Sequence, residues 1–209
     1  MTRTPNYATA SLLALAVIML AVAPVSAQDE QVRERYTARA VAMGTSNPPI
    51  LPRGRTATVD ISITRWTTDE ERDALFGELV ENEQPALVRA LSNQEETGWI
   101  RVTGPTQTGS TTRFPSERLR YARETVREDG SRRVVLALDR PISMYEAVRR
   151  PRWRDHDISF LVMELDAEGN GDGQLSIGVQ LAFQYDTKTL TIENFGTEPV
   201  RLTTIRQRN

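Results

Sequence analysis

The sequence predicts an α+β fold that is mainly β: an antiparallel meander of about eight strands, curved or closed into a barrel, with an inserted helical pair. Three observations carry this. Ala57, Val59, Ile61 and Ile63 alternate with polar residues, the period of a half-buried strand. Thr68-Asp69-Glu70-Glu71 is a capping box, and the apolar residues after it recur at helical spacing. Beyond Trp99, strand-like runs are separated by turn residues, and their apolar positions fall opposite one another when each turn is folded up. A two-sheet β-sandwich is the alternative arrangement of the same strands.

The opening residues read as a secretory signal. Arg3 supplies positive charge, Ser11 to Ala23 is almost unbroken apolar sequence, and Val25-Ser26-Ala27 offers small residues for cleavage. The expected organisation is therefore a signal peptide over 1–27 and a single β-rich domain over 28–209, periplasmic or secreted, with no membrane span after cleavage. The chain has no cysteine, so the domain depends on burial rather than on disulfides.

Within the domain, Arg35 to Met43 reads as a first strand and the run ending at Arg65-Trp66 as a second. After the capping box, Leu75, Phe76, Leu79 and Val80 form one stripe. Pro85 then marks a break before a second short helix with Leu87, Val88 and Leu91. The strands resume at Trp99 to Thr103. A two-residue turn at Asp129-Gly130 sets Tyr121 opposite Leu138, Arg123 opposite Leu136, Thr125 opposite Val134, and Arg120 opposite Asp139 as a surface ion pair. A turn at Asn170-Gly171 sets Ile158, Phe160 and Val162 against Phe183, Leu181 and Val179 inside the core. A turn at Thr187-Lys188 pairs Tyr185 with Leu190 and Phe183 with Ile192. The Phe195 to Pro199 loop then pairs Ile192 with Val200 and Leu190 with Leu202. Ile158 to Leu165 is apolar on both faces apart from Ser159 and Glu164, so the helical pair is expected to cover its second side.

Charge excludes some function classes. All but one of the 26 basic residues are arginine, the exception being Lys188, and the net charge of −2 gives no global field to recruit nucleic acid. Arginines are concentrated between Arg113 and Arg154 and acids between Asp155 and Glu198, without the interleaved aromatic residues that stack on bases.

Catalytic and metal signatures are weak. Asp166 to Asp172 superficially resembles a calcium loop, but Ile177 stands where a bidentate glutamate is required, and a glycine-rich hairpin turn explains the same residues. The sole histidine, His156, has no Gly-x-Ser-x-Gly elbow or cysteine to act on. Trp66, Trp99 and Trp153 stand at element boundaries, as rings that close a core edge do. No catalytic residue, metal or cofactor is assigned.

The strings Ile63-Thr64-Arg65-Trp66-Thr67-Thr68-Asp69-Glu70-Glu71-Arg72, Leu119-Arg120-Tyr121-Ala122-Arg123 and Arg133-Val134-Val135-Leu136-Ala137-Leu138-Asp139-Arg140-Pro141-Ile142 resemble an uncharacterised family of exported bacterial proteins. The resemblance implies a single exported domain and no activity.

The expected function is therefore non-enzymatic: an exported protein that binds a small, partly apolar ligand within a curved sheet or barrel. The alternative is a cell-envelope interaction module using the arginine-rich surface over 118–154. Tyr121, Arg123 and Glu164 are the candidate ligand-binding residues. Arg123 and Glu164 interrupt otherwise apolar stripes and are expected to meet in one interior, where they pair or bind a polar group.

Overall fold

A computed structural model of the chain describes residues 34–42, 56–105, 110–142, 158–184, 189–195 and 199–208. The signal-like segment, Trp153, His156 and the Thr187-Lys188 turn lie outside the described residues.

The β-pattern folds as read at its start. β1 (Glu34–Ala42) and β2 (Thr56–Ile63) pair antiparallel, with Ala57, Val59, Ile61 and Ile63 all buried on one face. Next comes α1 (Asp69–Asn93), opened by the capping box: the Glu71 amide donates to Thr68 Oγ1 at 3.2 Å and the Thr68 amide donates to Glu71 Oε2 at 2.9 Å.

α1 is continuous through Pro85, yet it carries the expected helical pair as two arms. In a straight helix Glu71 and Glu95 would stand roughly 36 Å apart. A single guanidinium holds both: Arg65 Nη2 is 3.1 Å from Glu71 Oε1 and 3.2 Å from the Glu95 carbonyl oxygen. The run must therefore bend back. Pro85 supplies the reason, because it has no amide for the Glu81 carbonyl and its ring crowds the preceding turn. Leu75 and Leu79 of the first arm and Leu87 and Leu91 of the second are buried in the same cluster.

The remaining strands are β3 (Gly98–Pro105), β4 (Thr111–Arg113), β5 (Glu117–Leu119), β6 (Tyr121–Val126), β7 (Arg132–Leu138), β8 (Ile158–Leu165), β9 (Gly171–Gln184), β10 (Thr189–Phe195) and β11 (Val200–Arg208). All ladders are antiparallel. The order is β4-β3-β2-β1-β11-β9-β8-β7-β6, with β5 beside β3 and β10 beside β9. The sheet is not a closed barrel: its path ends at β4 and β6. One cause is Thr67, which occupies the outer edge of β6 at Ala122, accepting the Ala122 amide on Oγ1 at 2.9 Å and donating its own amide to the Ala122 carbonyl at 2.7 Å. Curvature is nevertheless strong, since Glu117 to Val126 pairs with β3 at one end and with β7 at the other.

The concave face forms one filled core. Tyr36, Ile61, Ile63, Ile100, Leu136, Leu161 and Met163 are among its fully buried side chains. Arg132 of β7 crosses one end of it, donating to Glu34 Oε1 at 3.1 Å and to the Tyr36 hydroxyl at 3.0 Å. Burial and the neighbouring Glu34 push the Tyr36 phenol well above its ordinary range.

Three expected registers are corrected. The turn after β6 is a three-residue loop, Glu128-Asp129-Gly130, closed by the Arg127 amide on the Ser131 carbonyl, with Gly130 at φ 80°. That extra residue slips the ladder by one, so Tyr121 faces Ala137, Arg123 faces Val135 and Thr125 faces Arg133. The loop after β8 is built alike: Ala167-Glu168-Gly169, with Gly169 at φ 80° and the Asp166 carboxylate accepting the Glu168 and Asn170 amides. The calcium-like residues thus form a turn. Phe160 faces Ser176 and Val162 faces Gln174, so Leu161, Met163 and Leu165, not Phe160 and Val162, line the core. In the third hairpin Phe183 faces Leu190 and Leu181 faces Ile192, and β11 pairs with β9 and β1 rather than with β10.

Candidate functional site

The convex face of the sheet is where the chain departs from simple alternation. Val135 and Ala137 of β7 stand opposite Val162 and Phe160 of β8, so an apolar stripe crosses two strands on the side away from the filled core. β9 joins it through a bulge. Leu175 and Ile177 belong to the concave core, whereas Val179 and Leu181 belong to the cluster under α1; Gly178, at φ 61°, lies between them where the ladder with β8 shifts register.

The helical pair roofs this stripe, as expected for a strand apolar on both faces. The roof is pinned at three places. At its elbow, Gln84 Nε2 donates to the Val179 carbonyl at 2.9 Å and the Leu181 amide donates to Gln84 Oε1 at 2.6 Å. At its start, Arg123 pairs with Asp69, and at its end Arg120 Nη1 donates to the Gln94 carbonyl at 2.8 Å.

Between the pins a cavity of about 430 Å³ remains, with Leu75, Phe76 and Leu79 above and Tyr121, Val135 and Phe160 below. This is within the usual size range of small-ligand sites, about 300–1,000 Å³. The charged side chains on its lining are Arg72 and Arg133, with no carboxylate among them. Tyr121 is half-buried, its phenol is pushed up by burial, and its hydroxyl has no hydrogen-bond partner among the described residues. A second depression of about 680 Å³ continues across the convex face, sharing Arg133, Phe160 and Val162 and adding Gln174, Ser176 and Arg201.

The stripe ends at a charged rung. Arg133 stands opposite Glu164, and Glu164 is held by two arginines, Arg127 at 2.6 Å and Arg133 at 3.1 Å. The three candidate residues from the sequence, Tyr121, Arg123 and Glu164, therefore share the convex face, not an interior. Tyr121 lines the cavity, Arg123 is committed to Asp69 and the Thr67 carbonyl, and Glu164 sits at the rung, about half exposed. Arg123 and Glu164 do not meet: the one-residue slip of the β6–β7 ladder and the earlier turn after β8 place both on the convex face, where Asp69 of α1 and the arginines Arg127 and Arg133 give each its own counter-charge.

Arg133, Phe160, Val162 and Gln84 were missed as site residues. A three-residue loop at Glu128-Asp129-Gly130 would have placed Arg133 on the face of Tyr121; nothing local points from Gln84 to β9. The Arg120–Asp139 pair does form, at 3.4 Å, but it is mostly buried rather than superficial. Among the described residues no cluster of histidine, cysteine or carboxylates could hold a metal ion, and no helix is long and apolar enough to cross a membrane. No family model, curated protein or solved structure matches the chain.

Proposed function

We propose that this chain is an exported, non-catalytic binding protein that holds a small amphipathic ligand between the helical pair and the convex face of the sheet. The observation that carries the reading is the cavity itself: apolar walls from both layers, a Tyr121 hydroxyl without a hydrogen-bond partner among the described residues, and two arginines on its lining. The ligand is placed under the roof because the concave face is already filled by side chains as large as Tyr36, Ile61 and Met163. A pinned roof also suits retention of a ligand, since its attachments at Gln84, Arg120 and Arg123 leave the cavity between them open.

The alternative, an envelope interaction module built on the arginine-rich surface, has less support. Every described arginine from Arg118 to Arg140 lies against an acid, including Arg118 with Glu96 and Arg132 with Glu34 and Glu124. Such a surface presents little free positive charge to a partner.

The test uses a neutral apolar fluorophore, N-phenyl-1-naphthylamine, with the wild-type chain and with Val135→Trp, which fills the cavity from a half-buried position. Saturable binding at one site, lost in Val135→Trp with the unfolding temperature retained, is the expected result. Binding that Val135→Trp leaves intact would place the ligand elsewhere and overturn the reading.

A further inference from the structure

The apolar stripe and the charged rung form one track. Arg127 and Arg133 converge on a single carboxylate, Glu164. Arg127 also stands in the field of Asp129, whose carboxylate accepts the Ser131 amide at 2.9 Å and hydroxyl at 2.6 Å, whereas among the described residues Arg133 pairs only with the shared Glu164. At the other end of the cavity Arg72 is matched by Asp69 and Asp73. Arg133 is therefore the lining arginine with the fewest acids on it, next to Val135, Val162 and Phe160.

From this we infer that the ligand is a long-chain monocarboxylate, its alkyl chain under the helical pair and its carboxylate on Arg133. The inference rests on the cavity being a ligand site. Arg133 can turn to a ligand at little cost, because it and Glu164 are about half exposed, an ion pair of that kind is weak, and Arg127 keeps Glu164 satisfied when Arg133 leaves. A carboxylate then gains the bidentate geometry that a guanidinium offers. A single guanidinium matches a singly charged head, which separates a carboxylate from a phosphate monoester. A neutral head would make no use of Arg133, and a cationic head would meet Arg133 and Arg72 with no acid on the lining.

The experiment compares dodecanoate, dodecanol, dodecyl phosphate and dodecyltrimethylammonium by calorimetric titration into the full chain, with Arg133→Gln and Glu164→Gln alongside. Dodecanoate should bind about tenfold more tightly than dodecanol, the worth of one charge-assisted hydrogen bond. Arg133→Gln should bring dodecanoate down to the affinity of dodecanol while leaving dodecanol unchanged. Glu164→Gln, which removes the competing carboxylate, should strengthen dodecanoate binding alone. Equal binding of dodecanoate and dodecanol, tighter binding of dodecyl phosphate than of dodecanoate, or a preference for the ammonium would overturn the head-group assignment while the cavity stands. If none of the four binds, the cavity reading fails as well.

Discussion

Gln84 of α1 completes the edge of β9 at Leu181: its side-chain amide accepts the Leu181 amide proton and donates to the Val179 carbonyl, the two bonds a neighbouring strand would make. The ladder from β8 stops at Val179, so Gln84 takes over where that strand's pairing ends. The elbow of the helical pair is thereby fixed to the sheet, and the cavity beneath it keeps its height. Gln84→Leu should leave both backbone groups unpaired and cost about 1–3 kcal/mol. Faster hydrogen exchange at the Leu181 amide than in the wild type is the expected signature; unchanged exchange there would mean that the elbow is held by packing alone.

The start of the first arm depends on Thr68. Thr68→Ala removes the acceptor for the Glu71 amide and should lower stability by about 1 kcal/mol in chemical denaturation. An unaltered midpoint would show that the helix is nucleated elsewhere.

Glu71 links that cap to pH. The hydrogen bond from Arg65, joined by the Thr68 amide and opposed by partial burial, holds its carboxyl below the ordinary 4.5. A depressed pKa in the folded state stabilises the fold above the unfolded value, and that contribution is lost as pH falls through the folded value. The gap in unfolding temperature between wild type and Glu71→Gln should therefore be constant near neutrality and close as pH drops below about 4.5. A gap that persists in acid would show that Glu71 acts through geometry rather than charge.

The two faces of β8 differ in what they tolerate. Leu161 is fully buried in the concave core, and Leu161→Asp should abolish folding, because burying an unpaired carboxylate costs several kcal/mol. Val162, one residue on, lines the cavity from a half-buried position, so Val162→Asp should fold yet lose dodecanoate binding. Circular dichroism and calorimetry separate these outcomes; equal damage to the fold at both positions would mean that the convex side is core.

What could be read from the sequence was what is decided locally. The capping box at Thr68 and Glu71 lies within four residues and formed as read, as did the alternation from Ala57 to Ile63. The hairpin loops could not be resolved, because Asp129-Gly130 suits a two-residue turn and equally supplies the glycine of a three-residue loop with positive φ. That single residue decides the face of Tyr121, Arg123 and Arg133. Glu164 turned outward for another reason: the chain reverses at Ala167-Glu168-Gly169, ahead of the expected Asn170-Gly171, so that Glu164 faces Asp172. Gly178 likewise looks like one more small residue in an alternating strand, yet its bulge carries Val179 and Leu181 from the concave core to the helical cluster. Gln84 and Leu181 are far apart in the chain and joined only by the finished fold.

The most direct measurement is methyl NMR of the valine- and leucine-labelled chain titrated with dodecanoate. The expected result is shift changes at Val135, Val162, Leu75 and Leu79, which line the cavity, with Val134, Leu136 and Leu161 of the concave core unmoved. Changes confined to the concave set, or none in either set at saturating dodecanoate, would contradict a ligand site beneath the helical pair.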